Sequence, residues 1–467
     1  MSTVTAIFDV GKTNKKLLLF NSGGSVLREH VTRLAPIMDD DGFPCEDIGA
    51  VRDWLLHNLH DLLASSEFDL KAVNFTAYGA SLVHLDDDGE PATPLYDYLK
   101  PVPAGVVRAF HNHLRVQYGQ DLRTFTRSTC SPKLAMLNAG FQLYWLKKKK
   151  PQHWARIRHS LHLPQYLSYL VTGKRVSDYT SLGCHTAMWD FEKFRYTAWV
   201  TDEFRKRLAP ITDTRSTSVK IGTRTLKVGW GLHDSSAALI PFRNPDYDTF
   251  IFISTGTWSI QLNPFNDSTL TTEQLRKDCL CYMQTDGQQV KAARLLLGLE
   301  HDHQVKRLAE HFAIAPEEIS HIPFDEATFW RVRTLDANRY HPACMQGTGP
   351  RPQPARTDWS LTPFASPQEA YHALIIHLVS LLKESIQLID KPRVKTLFVD
   401  GGFARNEVFM KTLACLLYQK RVVASYLPQA TALGAFMHVH NLVRTGVSDF
   451  DQHFQTYRPA LAQMEKS

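Results

Sequence analysis

The sequence predicts an α/β protein made of two duplicated domains, and three observations predict it. The chain has 467 residues, more than one hydrophobic core normally serves. An order of three strands, a helix and a strand appears twice, beginning near residue 4 and again near residue 249. Each occurrence opens on the same device: an apolar strand, a Gly/Thr turn and an apolar strand that returns. A repeat this long is a structural duplication, not a solenoid. The expected division is 1–242 and 243–467.

The first hairpin carries an apolar run from Val4 that ends at Asp9, a turn at Gly11-Lys12-Thr13-Asn14, and a second apolar run from Lys15 to Phe20. Gly11 lets a ligand approach the backbone closely. The turn's N–H groups, its hydroxyl and its lysines suit phosphate oxygens. Asp9, at the strand end, suits a magnesium ion that keeps several waters and takes one or two carboxylates. An ordinary hairpin with a basic turn fits the same residues. Val26–Val31 is the third strand, and Ile48, Val51, Leu55, Leu59 and Leu62 recur at helical spacing through 47–64. Ala72–Thr76 is the strand that follows.

That strand leaves through small residues, Ala77-Tyr78-Gly79-Ala80-Ser81, and continues to an Asp/Gly turn near residue 89. Residues at the carboxyl end of a sheet strand are common ligand contacts, so Tyr78, Gly79, Ser81 and His84 are candidates for a polar small molecule. A surface loop with a packed Tyr fits equally. Residues 101–220 read as an elaboration that shapes a pocket, with helical patterns over Lys133–Lys147 and Leu163–Leu170. Gly173 is available as a left-handed cap. In Gly231-Leu232-His233-Asp234-Ser235-Ser236-Ala237-Ala238, an acid opens a helix of small residues. Asp234 is either a plain N-cap or a residue facing a cleft.

The pattern then returns. Thr249–Ile253 is a strand, Ser254-Thr255-Gly256-Thr257 a turn, and Trp258–Leu262 the returning strand. A helix spans 367–389, with Leu374, Leu378, Leu381 and Ile386 on one face. Thr396–Val399 is a strand, followed by Asp400-Gly401-Gly402-Phe403-Ala404-Arg405-Asn406. A Gly pair at a strand-to-helix turn lets N–H groups approach a phosphate, and Asn406 suits a base edge. Arg421–Ala424 and a helix from about Ala430 close the domain.

Composition bounds the rest: 43% hydrophobic, 21% charged, formal charge +6. Basic residues are scattered except for Lys147–Lys150, which reads as a solvated helix end. No basic stripe with interleaved aromatics points to nucleic acid. No apolar run reads as a membrane span, and no secretory leader opens the chain, so a cytoplasmic location is expected. The 7 cysteines lack the spacing of a disulfide framework, and Cys279/Cys281 read as buried thiols, not zinc ligands.

Four stretches therefore stand in a fixed order: Asp9-x-Gly11-Lys12-Thr13, Gly231-x-His233-Asp234, Ser254-Thr255-Gly256-Thr257-Trp258 and Asp400-Gly401-Gly402. Together they resemble the FGGY carbohydrate kinases, over about residues 4–445. Leu163–Gly173 followed by Asp178–Ser181 also looks like that family's mid-domain stretch. His233-Asp234 and Ser254-x-Gly256-Thr257-Trp258 look most like the L-rhamnulose and L-fuculose kinases within it. The resemblance implies an actin-like (ribonuclease H-like) fold with an active site in the cleft between domains, the first binding sugar and the second nucleotide. It implies ATP and Mg2+, and a sugar as the other small-molecule partner. Asp234 would be the general base, Asp9 the magnesium residue, and His233 a sugar contact. Gly11, Lys12, Thr13, Asn14 and Lys15 from one turn, and Gly256 and Thr257 from the other, would face the phosphates. Gly401, Gly402 and Asn406 would hold the nucleotide.

The pattern also departs from its relatives. Lys15 or Lys16 stands near the place of an arginine. The family's Trp/Tyr-x-Asp-x-Arg sugar stretch is here Leu95-Tyr96-Asp97-Tyr98-Leu99, without the Arg, and Gln429 opens the last helix in place of Glu. The expected reaction is phosphorylation of a 6-deoxyketohexose at its 1-hydroxyl. The alternatives are a pentulose or polyol kinase, or a non-catalytic sugar- and nucleotide-binding protein. Monomer and homodimer are both open.

Overall fold

The computed structural model describes residues 1–243, 249–334, 340–353, 359–391, 394–442 and 450–459. It separates into two compact units. Unit 1 holds Met1–Pro245, Cys281–Gln289 and Gln429–Ser448; unit 2 holds Asp246–Leu280, Val290–Pro428 and Asp449–Ser467. Two segments from the 243–467 range thus sit in unit 1.

Unit 1 begins with the expected hairpin, β1 (Ser2–Val10) and β2 (Lys15–Phe20), followed by β3 (Val26–Thr32). Helix α1 (Ile48–Ala64) starts at an N-cap, Asp47, whose carboxylate accepts from the Ala50 N–H at 3.0 Å. Then come β4 (Phe68–Ala77), β5 (Leu82–Leu85), α2 (Ala139–Lys149), β6 (His159–His162) and α3 (Leu163–Thr172). Strands β7 (Ser216–Ile221), β8 (Arg224–Gly229) and β9 (Leu232–His233) precede a short helix, α4 (Asp234–Ala237). The sheet order is β7-β8-β4-β1-β2-β3, with β9 also paired to β4. β4 runs parallel to β1, and β2 antiparallel to it.

β1 is buried almost continuously because both sheet faces are covered. Phe8 meets Trp54 of α1 edge-on at 5.3 Å, while on the other side Phe20 stacks on Phe436 of the helix Ala430–His440 at 5.1 Å. Gly173 caps α3 with φ +65, in the left-handed conformation expected of it. The expected helix over Lys133–Lys147 begins only at Ala139. Asn138 stops it, its side-chain oxygen accepting from the Leu134 N–H at 2.9 Å, and Ala135 has φ +50. The lysines ending α2 are not all solvated: Lys147 pairs with Glu203 at 2.5 Å, and Lys150 with Asp40 at 2.8 Å.

Unit 2 repeats the plan. β10 (Phe250–Thr255) and β11 (Ser259–Asn263) form the second hairpin, and β12 (Gln289–Leu295) is the third strand. Helices α5 (Leu297–Phe312) and α6 (Pro367–Ile389) precede β13 (Thr396–Gly401), α7 (Glu407–Leu416) and β14 (Arg421–Ser425). Its sheet contains the run β12-β11-β10-β13-β14. The run β3-β2-β1-β4 has the same order and directions, so the duplication read from the sequence is present in three dimensions. By length and composition α6 is apolar enough to cross a membrane, contrary to the sequence expectation. Its Leu374, Leu378 and Leu382 are buried in the unit 2 core.

Candidate active site

In unit 1 the carboxyl ends of three strands converge. Asp9 of β1 lies opposite Thr76 of β4, and Leu232 of β9 pairs with that same Thr76. His233 therefore falls level with Ala77, and Asp234 follows as the first residue of α4. The Thr76 hydroxyl donates to Asp9 Oδ1 at 2.7 Å. Burial pushes the Asp9 carboxyl up to about 6; Thr76 and Lys16 resist the rise, and Asp234 and Glu29 add to it. This is a strand end with more negative charge than its surroundings neutralise.

Asp234 keeps 35% of its side chain exposed. Its Oδ1 accepts from the Ser235 N–H at 2.5 Å and the Ser235 hydroxyl at 3.1 Å. His233 Nε2 stands 3.2 Å from that same oxygen. The ring stacks on Tyr282 at 5.5 Å, and Cys184 Sγ lies 3.3 Å from Nε2. The Thr180 hydroxyl accepts from the His233 N–H at 3.0 Å. Burial lowers the His233 pKa, so the imidazole is neutral at neutral pH.

Gly79 serves this packing. A Cβ there would come within 2.4 Å of Cys184 Sγ and 2.9 Å of His233 Nε2. Ser81 and His84 lie deeper: both are buried, and His84 Nδ1 bonds the Ser160 hydroxyl at 2.8 Å. Tyr78 is also buried, its hydroxyl donating to Glu46 at 3.3 Å. Of the candidates from that loop, Gly79 thus touches the His233 environment, while Tyr78, Ser81 and His84 are packed away from solvent.

The first turn is closed by the Gly11 N–H donating to the Asn14 carbonyl at 3.0 Å. Thr13 is exposed. Asn14 Oδ1 accepts from Arg33 at 3.0 Å. Lys12 pairs with Asp97 at 2.5 Å and lies over the rings of Tyr78 and Tyr98. Lys15 departs from expectation. Its side chain is 1% exposed, and its ammonium sits 2.7 Å from Glu46 and 3.2 Å from the Gly11 carbonyl. It braces the turn from beneath. Lys15→Ala is expected to destabilise unit 1 by about 3–5 kcal/mol, since it strands the Glu46 carboxylate; urea unfolding measures this. Lys16 donates to Gln429 at 2.7 Å and is only partly buried, so of the two lysines it is the one left near the surface.

In unit 2 the second turn is closed by the Gly256 N–H donating to the Trp258 carbonyl at 2.9 Å, with Thr257 exposed. The Leu299 N–H, in the first turn of α5, donates to the Thr257 carbonyl at 3.2 Å. Thr255 of β10 lies beside Gly401 of β13. Gly401 has φ +91, and a Cβ on it would stand 2.0 Å from the Thr255 carbonyl oxygen, so only glycine fits. The Thr255 hydroxyl donates to the Asp400 carbonyl at 2.5 Å and accepts from the Phe403 N–H at 3.1 Å, which locks the turn. A Cβ on Gly402 would meet nothing within 4 Å, so its backbone faces open space.

Asn406 is held in place by its neighbours. Its Oδ1 caps α7 through the Phe409 N–H at 2.9 Å, and its Nδ2 donates to the Tyr371 hydroxyl at 2.6 Å. Each end of the amide has a partner within unit 2, which fixes the side chain at the turn.

Glu46, Thr76, Cys184, Tyr282 and Thr255 were not singled out from the sequence. Thr76 and Thr255 had a readable signal, a hydroxyl at the end of an apolar strand. Glu46, Cys184 and Tyr282 had none, because long-range packing alone brings them to Lys15 and His233.

The family described as "FGGY family of carbohydrate kinases, N-terminal domain" matches residues 4–236, and "Carbohydrate kinase FGGY, C-terminal domain" matches 247–446. A rhamnulokinase of Oceanobacillus iheyensis is 22% identical over 91% of this chain and 90% of its own length. A rhamnulokinase of Halalkalibacterium halodurans is also 22% identical, but the match spans about half of that protein, 54%. Among solved structures, a carbohydrate kinase from Novosphingobium aromaticivorans superposes with a TM-score of 0.81 at 25% identity, covering 98% of this chain and 94% of that one. A ligand-bound xylulose kinase from Lactobacillus acidophilus gives 0.74 at 16% identity over 98% and 94%, a likeness of fold.

Proposed function

The chain belongs to the FGGY family of carbohydrate kinases, and from that premise we propose that it transfers the γ-phosphoryl group of ATP to the 1-hydroxyl of a 6-deoxyketohexose such as L-rhamnulose or L-fuculose. One observation carries the reading. Asp234 is a half-open carboxylate, fixed through Oδ1 by Ser235 and held beside the buried, neutral ring of His233. That arrangement leaves Oδ2 to accept a proton. The naming of the relatives supports the choice of sugar.

Asp234 takes the proton of the attacking hydroxyl, the hydroxyl oxygen bonds the γ-phosphorus, and the bond to the β-phosphate oxygen breaks to release ADP. His233 sits beside the base as a sugar contact. The N–H groups and hydroxyls of the Gly/Thr turns suit phosphate oxygens; Thr13 in unit 1 and Thr257 in unit 2 are each exposed. The open backbone at Gly402 supports nucleotide binding there.

A magnesium ion fits Asp9. The carboxylate is partly buried and short of compensating charge, and among the described residues its hydrogen bond, from Thr76, engages Oδ1 alone. When bound, the ion would neutralise phosphate charge. Asp9 would hold it while Thr76 orients the carboxylate.

The test is ADP release with ATP and Mg2+ across L-rhamnulose, L-fuculose, L-ribulose, D- and L-xylulose, and glycerol. A dominant response to either 6-deoxyketohexose is expected. A dominant pentulose or glycerol response would replace the sugar and keep the reaction. ATP binding with silence on every sugar would leave a sugar outside this panel or the non-catalytic reading, with 95–101 as the stretch to vary next.

A further inference from the structure

Unit 1 contains a polar cavity, of about 490 Å³, whose lining includes Arg158, Arg175, Lys206, Arg207, His159 and Asp87. Four cations face a single carboxylate. Lys206 and Arg207 are neighbours in the chain, and Arg158 and Arg175 come from two other stretches. None of them belongs to the strand ends around Asp9 and Asp234.

The guanidinium groups are held in place on one edge. Arg158 donates from Nε to Asp87 at 2.9 Å and from Nη1 to the Ala155 carbonyl at 2.6 Å. Arg207 donates to the Ile157 carbonyl at 3.1 Å and the Glu203 carbonyl at 2.7 Å, and lies 4.2 Å over the Trp154 ring. Arg175 donates from Nη1 to His159 Nε2 at 2.8 Å, so the neutral imidazole orients the charge beside it. Nη2 of all three, and the Lys206 ammonium, have no hydrogen-bond partner among the described residues. A solvated basic surface leaves its long side chains free. Here three forks are anchored by backbone and side-chain acceptors, and each keeps a donor in reserve.

Arginine forks match the oxygens of a phosphate group in pairs, and the cavity is large enough for a small molecule that carries one. Burial depresses the Arg207 pKa, with Glu203 opposing the shift and the neighbouring Arg158 adding to it. We propose that this cavity is a binding site for a phosphorylated small molecule, separate from the kinase site.

Isothermal titration of the full chain with sodium pyrophosphate tests this, at low salt and without Mg2+ or nucleotide. Saturable binding is expected that weakens as salt rises. The double variant Arg175→Glu/Lys206→Glu, both on exposed side chains, should weaken it by about tenfold or more, given the strength of charge-assisted hydrogen bonds. Lys206→Ala alone should cost about threefold and decides the matter if the double variant loses its circular dichroism. Asp234→Asn should leave it unchanged. No saturable heat up to about 10 mM, in the weak-binding range, overturns the site. So does an affinity unchanged by the cavity variants, which would put the anion at the Gly/Thr turns instead.

Discussion

Asp234→Asn is expected to lower kcat by about 10²–10⁴-fold, the usual contribution of a positioned general base. The amide keeps an oxygen to accept from the Ser235 N–H, so the turn into α4 is preserved. It has no lone pair basic enough to take the sugar proton. Because the loss falls on the transition state, the KM for sugar should move far less than kcat. ATP affinity, measured by titration without sugar, should remain. Full turnover in the variant would remove Asp234 from the chemistry. A loss of ATP binding as large as the loss of rate would make it a structural residue at the start of α4.

His233 sharpens that experiment. It is buried against Tyr282 and Cys184, with no room at Gly79 for even a methyl group. Its lowered pKa keeps the ring uncharged across the working range, so the ring does not hold Asp234 as an ion pair. The pH dependence of the reaction should therefore follow the carboxylates and not an imidazole near 6.5.

The duplicated fold was legible because both halves repeat a local pattern strong enough to survive without homologues. An apolar strand, a Gly/Thr turn and a returning strand can only be a hairpin, and α1 and α6 show the helical period of a buried face. The return of Cys281–Gln289 and Gln429–Ser448 to unit 1 was not legible. No local signal records which sheet a helix covers; Phe436 reads as apolar wherever it packs, and only its contact with Phe20 shows where it belongs. The 133–147 helix was misplaced at its start because Asn138 diverts its side chain to a backbone N–H, a local competition that a hydrophobic period does not register.

The site divides along the same line. Asp9, Asp234, Gly256 and Gly401 stand out in the sequence because their positions at strand ends and turns are set by the chain itself. The partners of Lys15 and Asn406 are hidden in the sequence for one reason. A cation or amide near a phosphate-type turn looks free in the sequence, and its freedom depends on what folds against it. Glu46 arrives under Lys15, and Tyr371 and the Phe409 N–H claim Asn406.

Asp9→Asn carries the second large effect, with opposite signs on stability and function. The folded carboxyl titrates at about 6 against an ordinary 3.8. Between those values the folded chain holds a proton that the unfolded chain has released. Stability therefore falls as pH rises through that window, and the full cost remains above it. Asparagine accepts the same Thr76 hydroxyl and carries no charge. The variant should be more stable than the parent at pH 7.5 by roughly 1–3 kcal/mol, the carboxylate being partly open to solvent. Below pH 4 the two should coincide. Added Mg2+ should close the gap from the other side, stabilising the parent by mass action and leaving the variant unmoved. Turnover should fall by about 10²-fold or more, the scale of losing one charge-stabilising group. Urea unfolding at pH 7.5 and pH 4, with and without Mg2+, reads all of this. A variant less stable than the parent at pH 7.5, without metal, would mean that Asp9 is a structural residue and not a charge held in wait for a cation.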